Sequence, residues 1–221
     1  MKYLIFDAGP IISLTMNGLL DVLEKLKKEF EGEFIVTPQV KREIVDKPLR
    51  IKKYALEGVK VSSILEKGVL KMSSEFVKNS VLEKETRKIM KEANSSFKAR
   101  EYIKLIHEGE ASCLAFSRLC NNENVIVVDE RTTRMLTESP KNLEKLMERK
   151  LNAKIGVDDK KLRDFKKFKF IRSAELLYIA YKKNLFDMKK DKTLLDALLY
   201  GVKFKGAAIS SREIDAIKRL A

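Results

Sequence analysis

Four acidic residues in this chain stand where solubility alone does not explain them. Asp7 and Asp129 each end a short apolar run, while Glu43 and Glu110 lie early in segments with helical periodicity. Carboxylate oxygens suit Mg²⁺ or Mn²⁺, ions that also keep coordination positions open for water and phosphate. Such an ion can lower the pKa of a bound water and offset the charge that builds on a phosphate. The four residues therefore predict a metal-dependent site for phosphate chemistry.

Several other chemistries are excluded by what the chain lacks. Its single histidine, His107, cannot supply a histidine pair or a zinc site of the HExxH type. Its nine glycines form neither a dinucleotide-binding nor a nucleoside-triphosphate-binding motif. Cys113 and Cys120 are too few for a structural zinc site and too far apart along one predicted helix for a disulfide. We expect both cysteines to be reduced core residues.

Apolar runs predict the strands that position the acids, at residues 3–6, 33–37, 125–128 and 168–171. Segments with helical periodicity separate these runs, and this alternation predicts an α/β fold with an open parallel sheet. Ligands bind to such sheets outside the carboxyl ends of the strands. Asp7 and Asp129 are expected there.

Residue preferences at helix ends predict where three helices begin or end. Thr37 and Pro38 suit the start of the helix that carries Glu43, and Ser173 suits the N-cap of a helix over residues 174–183. A helix that begins near Gly109 is expected to end at the pair 121–122, which is Asn-Asn.

The 221 residues, 44% of them apolar, are enough for one main domain with a helical addition. Residues 47–106 hold no comparable apolar run, and their Lys- and Glu-rich amphipathic stretches predict a helical insertion. Residues 173–221 predict a helical C-terminal extension packed on a main domain of residues 1–172.

Four motifs, each with an acid, follow one another along the chain. They are Tyr3-Leu4-Ile5-Phe6-Asp7-Ala8-Gly9-Pro10, Val36-Thr37-Pro38-Gln39-Val40-Lys41-Arg42-Glu43, Glu108-Gly109-Glu110-Ala111 and Val125-Ile126-Val127-Val128-Asp129-Glu130-Arg131. In this order they resemble the motifs of PIN domains, including VapC-like ribonucleases of archaea and bacteria. Arg172-Ser173-Ala174-Glu175 is similar to a late helix start in that family, so the resemblance covers about residues 1–185.

The resemblance implies a Rossmann-like parallel sheet of about five strands and an endoribonuclease dependent on Mg²⁺ or Mn²⁺. The same four acids would hold the metal and be catalytic, and metal-activated water would hydrolyse RNA phosphodiester bonds. Members of the family are often dimers, so a homodimer is also implied. Two departures stand out: Glu110 replaces the aspartate of many toxin-type members, and Ala8-Gly9 replaces the usual hydroxyl residue after the first aspartate. The length favours a stand-alone or processing role over a compact toxin, which would have an antitoxin protein as partner.

Two alternatives stay open beside the ribonuclease. One is a PIN-like scaffold that binds RNA or protein without cutting, since a fold can outlast its chemistry. The other is a structure-specific DNA nuclease, because nothing in these residues distinguishes the 2′-hydroxyl of RNA from DNA.

Basic residues outnumber acidic ones, 46 to 32, and the net charge of +14 favours a polyanionic partner such as RNA. A lysine-coated thermophile surface is the alternative. Arg131 and Arg134, next to Glu130, are candidates for phosphate binding near the metal. A second candidate RNA-binding set is Lys160, Lys161, Arg163, Lys166, Lys167 and Lys169, with Phe165, Phe168 and Phe170 between them for base stacking. Those rings would otherwise be core residues.

The N-terminal apolar run is interrupted by Asp7, which does not suit a signal peptide. No run approaches the roughly 18 apolar residues of a membrane span. We expect a cytoplasmic protein without membrane contact.

Overall fold

A computed structural model describes residues 2–121 and 123–220, and its centre is a five-stranded parallel sheet. The strands of the molecule are, in chain order, β1 (Tyr3–Phe6), β2 (Glu33–Val36), β3 (Leu70–Met72), β4 (Phe97–Lys98), β5 (Val125–Val127), β6 (Gly156–Val157) and β7 (Phe170–Ile171). The sheet order is β3-β2-β1-β5-β7, with every pairing parallel, while β4 and β6 form a separate antiparallel pair. The predicted α/β fold with about five parallel strands is confirmed.

Thirteen α-helices in the described residues connect and cover these strands. They are α1 (Ala8–Met16), α2 (Leu20–Glu29), α3 (Pro38–Lys41), α4 (Lys47–Leu49), α5 (Ala55–Glu66), α6 (Asn79–Asn94), α7 (Glu108–Leu119), α8 (Arg131–Glu138), α9 (Pro140–Leu151), α10 (Asp159–Leu162), α11 (Ser173–Lys182), α12 (Lys192–Phe204) and α13 (Ser211–Arg219). α1 contacts α2, α5 and α11, whereas α7 contacts α3 and α6. None of these helices is long and apolar enough to cross a membrane.

The central strands are apolar because they are buried on both faces. Leu4, Ile5 and Phe6 of β1 are nearly inaccessible, as are Phe34, Ile35 and Val36 of β2. Such continuous apolar runs are typical of parallel sheets covered by helices on each side. Burial therefore determines where these strands run and leaves the polar residue after each one at the sheet edge.

The segment 47–106 was predicted as a helical insertion, and it contains α4, α5 and α6, but β3 also lies inside it and pairs with β2 in the main sheet. This strand has only three residues, Leu70, Lys71 and Met72, and lies at the edge of the sheet. A run so short, with a lysine in the middle, gives no periodicity that distinguishes it from a loop. β4 lies in the same segment.

The helix predicted to end at 121–122 ends at Leu119, with Cys120 as its C-cap residue. Asn121 follows with a positive φ of 61°, and Asn122 lies outside the described residues.

The chain from Ser173 onward forms only helices in its described part, and its contacts with the rest of the molecule include two hydrogen bonds from or to the region of α12 and α13. Ala208 N–H donates to the Asp129 carbonyl at 3.0 Å, directly beyond the end of β5. Ser13 Oγ in α1 donates to the Val202 carbonyl in α12 at 3.4 Å. These contacts bring the loop between α12 and α13 to the carboxyl edge of the sheet.

Candidate active site

Asp7 and Asp129 lie side by side because their strands are neighbours in register. Phe6 pairs with Val127, and Asp7 N–H donates to the Val127 carbonyl at 3.0 Å. Asp7 directly follows β1 and begins α1, while Asp129 lies two residues beyond β5. Both side chains are therefore at the carboxyl edge of the sheet. The residues after Asp7 form the first turn of α1, where Pro10 removes no helical hydrogen bond.

Glu43 is positioned by the helical segment that follows β2. Thr37 Oγ1 accepts from Val40 N–H at 3.2 Å, and Pro38 occupies the first helical turn, as the sequence predicted. After α3 the chain widens into a π-helix, Arg42–Asp46, which contains Glu43. Such wide turns are frequent at functional sites, because they redirect a side chain without ending the helix.

A chain of buried hydroxyl groups joins this segment to the start of α7. Ser112 Oγ donates to the Gly109 carbonyl at 2.6 Å and lies 2.6 Å from Thr37 Oγ1. Because the Ser112 proton is given to the carbonyl, the Thr37 hydroxyl donates to Ser112, and it accepts from Val40 N–H at the same time. The network fixes the helix of Glu43 against the helix of Glu110.

Gly109 allows three elements to approach one another at this point. A Cβ atom at Gly109 would lie 3.1 Å from Glu43 Oε1 and 3.6 Å from Asp7 Oδ1. One oxygen of Glu43 and one of Asp7 thus lie within 4 Å of the position that a Cβ atom of residue 109 would take. A side chain at this position would occupy the space between the two acids.

Glu110 is oriented by two donors. His107 N–H donates to its Oε2 at 2.6 Å, and Thr133 Oγ1 donates to its Oε1 at 2.9 Å. Thr133 belongs to α8, which follows Asp129, so the hydrogen bond connects the third acidic motif to the fourth.

Asp129 is held by a residue for which the sequence predicted a different role. Ser173 donates its N–H to Asp129 Oδ1 at 2.8 Å and its hydroxyl proton to the same carboxylate, with Oγ 2.9 Å from Oδ1 and 2.8 Å from Oδ2. The prediction of Ser173 as an N-cap was wrong, because α11 already begins at Ser173. Its hydroxyl faces Asp129, and Arg172 is the N-cap residue.

Burial raises the pKa of Asp7, Glu110 and Asp129. The pKa of Asp7 rises to about 7, first through burial and then through the negative charges of Glu110 and Glu43, against the stabilising amides of Ala8 and Gly9. Burial likewise raises the pKa of Glu110 and of Asp129, although hydrogen bonds from Thr133 and Ser173 oppose the rise. The fold thus brings several carboxyl groups together where burial disfavours their charged form.

The four acids line one open cavity of about 470 Å³, here called the acidic cleft, together with Gly9, Ile12, Lys47, His107, Gly109, Glu130 and Gly206 among others. Carboxylate oxygens dominate its polar wall, and this donor set fits a hard divalent cation. Among the described residues, however, no three His, Cys, Asp or Glu side chains already stand at metal-binding distances from one another. The cleft therefore fits Mg²⁺ or Mn²⁺ by its donor chemistry and by its excess of acidic over basic side chains.

Of the three residues predicted to lie near the metal, only Glu130 lines the acidic cleft. Glu130 also caps α8 by accepting from Thr133 N–H at 2.9 Å. Arg131 is exposed on α8 and is not among the residues that line the cleft. Arg134 borders a different cavity with Arg172, and its Nε lies 3.6 Å from Glu138.

The predicted basic RNA-binding set lies away from the cleft. None of its six residues lines the cleft, and Lys169, directly before β7, lies at the amino end of that strand, opposite the acids. Of the two interpretations of the rings between them, the structure bears out the core for Phe165 and Phe168, which are buried, and rules out base stacking on these two. Inside the protein, both rings lie under the Arg118 guanidinium, at 5.8 and 5.9 Å. The lysines themselves remain exposed or half-buried.

Sequence reasoning missed three residues that shape the cleft. Thr133 orients Glu110, Ser173 orients Asp129, and Lys47 brings a positive charge to the wall. Thr133 stands three residues after Glu130, which is a spacing typical of a capped helix start. Ser173 falls within the motif Arg172-Ser173-Ala174-Glu175 that the resemblance had marked. Lys47 carried no signal that distinguished it from other surface lysines.

Comparison with known proteins agrees with this geometry. A family model described as a PIN domain matches residues 3–141, which include all four acids and all the strands of the sheet except β7. No curated protein and no solved structure matches the chain.

Proposed function

Because the chain belongs to the PIN-domain family, we propose that it is a divalent-metal-dependent endoribonuclease. The observation that carries the proposal is that acids from four separate segments line one cleft at the carboxyl edge of the sheet. PIN domains are generally nucleases, and the net charge of +14 suits a polyanionic substrate. Asp7, Glu43, Glu110 and Asp129 would hold Mg²⁺ or Mn²⁺.

The bound cation would supply water activation and would offset the charge that builds on the scissile phosphate. The residues of the chain supply position. Ser173 holds Asp129, and Thr133 with the His107 amide holds Glu110, so that neither carboxylate has to reorder when substrate arrives. Lys47, on the cleft wall, supplies a positive charge for a phosphate of the strand.

One observation favours the alternative of a scaffold that binds without cutting. Both oxygens of Asp129 and both of Glu110 already accept internal hydrogen bonds. Carboxylates held this way are satisfied without a metal, although a metal ligand is commonly held by the same kind of partner. The proposal is therefore tested by metal binding as well as by cleavage.

The test is cleavage of labelled single-stranded and hairpin RNAs with Mn²⁺ or with chelator, alongside DNA of the same sequence. Asp7→Asn and Asp129→Asn should each lower the rate by at least about a hundredfold, because each removes a charge that holds the cation. Glu110→Gln should do the same. The matched control is Glu108→Gln, since Glu108 is exposed and paired with Arg42 at 3.1 Å instead of lining the cleft.

Metal-dependent cleavage that is lost in the three cleft variants and kept in the control would support the proposal. Cleavage that survives all three would place the chemistry elsewhere. Mn²⁺ binding without cleavage of any substrate would favour the scaffold, and cleavage of DNA alone would favour the structure-specific DNA nuclease. Toxin or processing role, cytoplasmic location and homodimer formation stay predictions.

A further inference from the structure

A second cavity opens directly beside the acidic cleft. It has a volume of about 400 Å³ and a mostly apolar wall formed by α1, by the helical segment 38–49 and by the start of α5. We call it the apolar groove, after its residues Ile12, Met16, Ile51, Tyr54 and Glu57. Ile12, Glu43 and Lys47 line the groove and the cleft alike. A nucleic-acid strand with a phosphate in the cleft therefore has its neighbouring base beside the groove.

The wall of the groove suits a flat aromatic ligand. Ile12, Ile51 and Tyr54 keep 42%, 48% and 39% of their surface exposed, which is unusual for such large apolar side chains next to one another. Bases of single strands commonly stack on an aromatic ring and on apolar side chains. Tyr54 offers the ring.

One carboxylate in this apolar wall lacks a partner. Glu57 is half-buried in the lining of the groove, and neither of its oxygens accepts a hydrogen bond from the residues that the structure describes. A carboxylate left without a donor among apolar side chains is unfavourable, and a ligand or water that donates to it relieves this cost. A ligand of the groove should therefore carry N–H donors.

Guanine is the base whose edge fits a carboxylate best. Its Watson–Crick edge presents two neighbouring donors, N1–H and the N2 amino group. In adenine and cytosine the single amino donor is beside a ring nitrogen that accepts, and in uracil N3–H lies between two carbonyl groups. Those acceptors would face the negative charge of Glu57, whereas guanine offers a second proton.

The charges at the rim favour a nucleotide over an apolar peptide or a second copy of the chain. Lys47 lies where the groove meets the cleft, and Lys205 lines the groove from the loop after α12. Two positive side chains at the rim of an apolar wall suit phosphates on either side of a bound base. We propose that the apolar groove binds a guanine base of a nucleic-acid strand, and that the phosphate next to this base lies in the acidic cleft. This inference rests on the proposed function only in requiring a nucleic-acid strand in the cleft.

The test measures binding, so that it does not depend on cleavage. Fluorescein-labelled octauridine is compared with the same strand carrying one central guanine, adenine or cytosine, by fluorescence anisotropy in Ca²⁺, a hard cation that carboxylates bind and that offsets their charge beside the phosphate. The wild type should bind the guanine strand about tenfold more tightly than the others, as for one bidentate base contact. Glu57→Gln should reduce this ratio to about twofold or less, because the amide offers only one acceptor.

Two further variants separate the parts of the site. Tyr54→Ala should weaken binding of every strand, since stacking does not depend on the base. Glu66→Gln, on an exposed position of the same helix α5, should keep the guanine preference. Because the readout is a ratio between strands, a general loss of stability does not imitate the expected effect.

The inference is overturned if the wild type binds no strand, if it binds all strands alike, or if Glu57→Gln keeps the full guanine preference. A dimer in sedimentation that Ile51→Ser dissociates, without base preference, would show that a second copy covers the groove. Guanine-selective binding without RNA cleavage would leave this inference standing and overturn the endoribonuclease. RNA cleavage without guanine preference would overturn this inference and leave the endoribonuclease standing.

Discussion

Asp7 is held in the folded chain at an electrostatic cost. Its carboxylate is buried beside Glu110 and Glu43, and its pKa rises from 3.8 to about 7. A carboxyl group with a raised pKa binds its proton more tightly in the folded state than in the unfolded state. Its favourable contribution is therefore complete below about pH 4 and is lost as the pH rises through about 7.

This cost predicts the effect of Asp7→Asn on the protein without metal. The variant should be more stable than the wild type at pH 8, by at most about 4 kcal/mol, and should lose this advantage at pH 4. Urea unfolding in chelator at the two pH values measures the difference, and added Mn²⁺ should stabilise the wild type more than the variant. Asp159→Asn, at an exposed aspartate, is the control. A variant less stable than the wild type at pH 8 would contradict the prediction.

Ser173 gives a second prediction at the scale of single residues. Its hydroxyl group contacts both oxygens of Asp129 and is buried, so Ser173→Ala leaves the carboxylate with one donor fewer. We expect Mn²⁺ affinity and cleavage rate to fall about tenfold or more while the fold persists. Titration of Mn²⁺ and circular dichroism measure the two effects. Ser80→Ala, at an exposed serine early in α6, should change neither, and equal losses in both variants would refute a positioning role.

At the scale of elements, one arginine joins the C-terminal helices to the main sheet. Arg172 precedes α11 and pairs with Glu175 in that helix and with Glu213 in α13. Burial disfavours the charged form of Glu213, yet hydrogen bonds from Ser210 and Arg172 outweigh it and lower the Glu213 pKa to about 2. The Glu175 pKa is lowered in the same way by Arg172. Arg172 thus connects three segments directly beside Ser173.

This connection predicts how Glu213→Gln behaves. A lowered pKa means that Glu213 stabilises the folded state above about pH 4.5 and stops doing so as the pH falls towards 2. At pH 7 the variant should lose about 1 kcal/mol, because the pair is partly exposed, and Tm should fall by about 2–4 °C. Hydrogen exchange in α13 should become faster. Glu138→Gln, at a similarly exposed partner of Arg134, is the control, and equal exchange in α13 of both variants would contradict the role.

At the scale of the whole molecule, opposite charges occupy opposite ends of the sheet. Acids line the carboxyl edge, while Lys166, Lys167 and Lys169 are exposed near the amino end of β7. A strand of RNA that reached both places would be held by phosphate contacts away from the chemistry. A thermophile-type lysine coat would have the same composition without any such contact.

Salt dependence separates these two explanations. If the lysines bind RNA, replacing all three with glutamine should weaken binding. The decrease of log K with log salt should also become less steep by about 2, since each phosphate contact contributes about 0.7 to this slope. The cleavage rate at saturating RNA should not change. Replacing Lys84, Lys88 and Lys91, which are exposed on α6, removes the same charge and serves as control. Equal slopes for both triple variants would indicate a lysine coat.

The sequence by itself determined the central strands and the place of Asp7 and Asp129 at the edge of the sheet. β1, β2 and β5 are continuous apolar runs, so burial alone identifies them, and an acid beyond a buried strand must lie at the sheet edge. The start of α3 at Pro38 was equally predictable, because capping depends on residues within one turn.

Only the tertiary structure decided features that depend on partners distant in the chain. β3 forms because β2 offers it one free edge, and nothing in its three residues requires a strand. Ser173 binds a carboxylate 44 positions away instead of capping its own helix, and Phe165 fills the core instead of meeting bases. Glu57 is an ordinary helix acid until the fold buries one of its oxygens in an apolar wall. Local preferences act over a few residues, whereas these outcomes are set by packing between segments that the chain brings together only when folded.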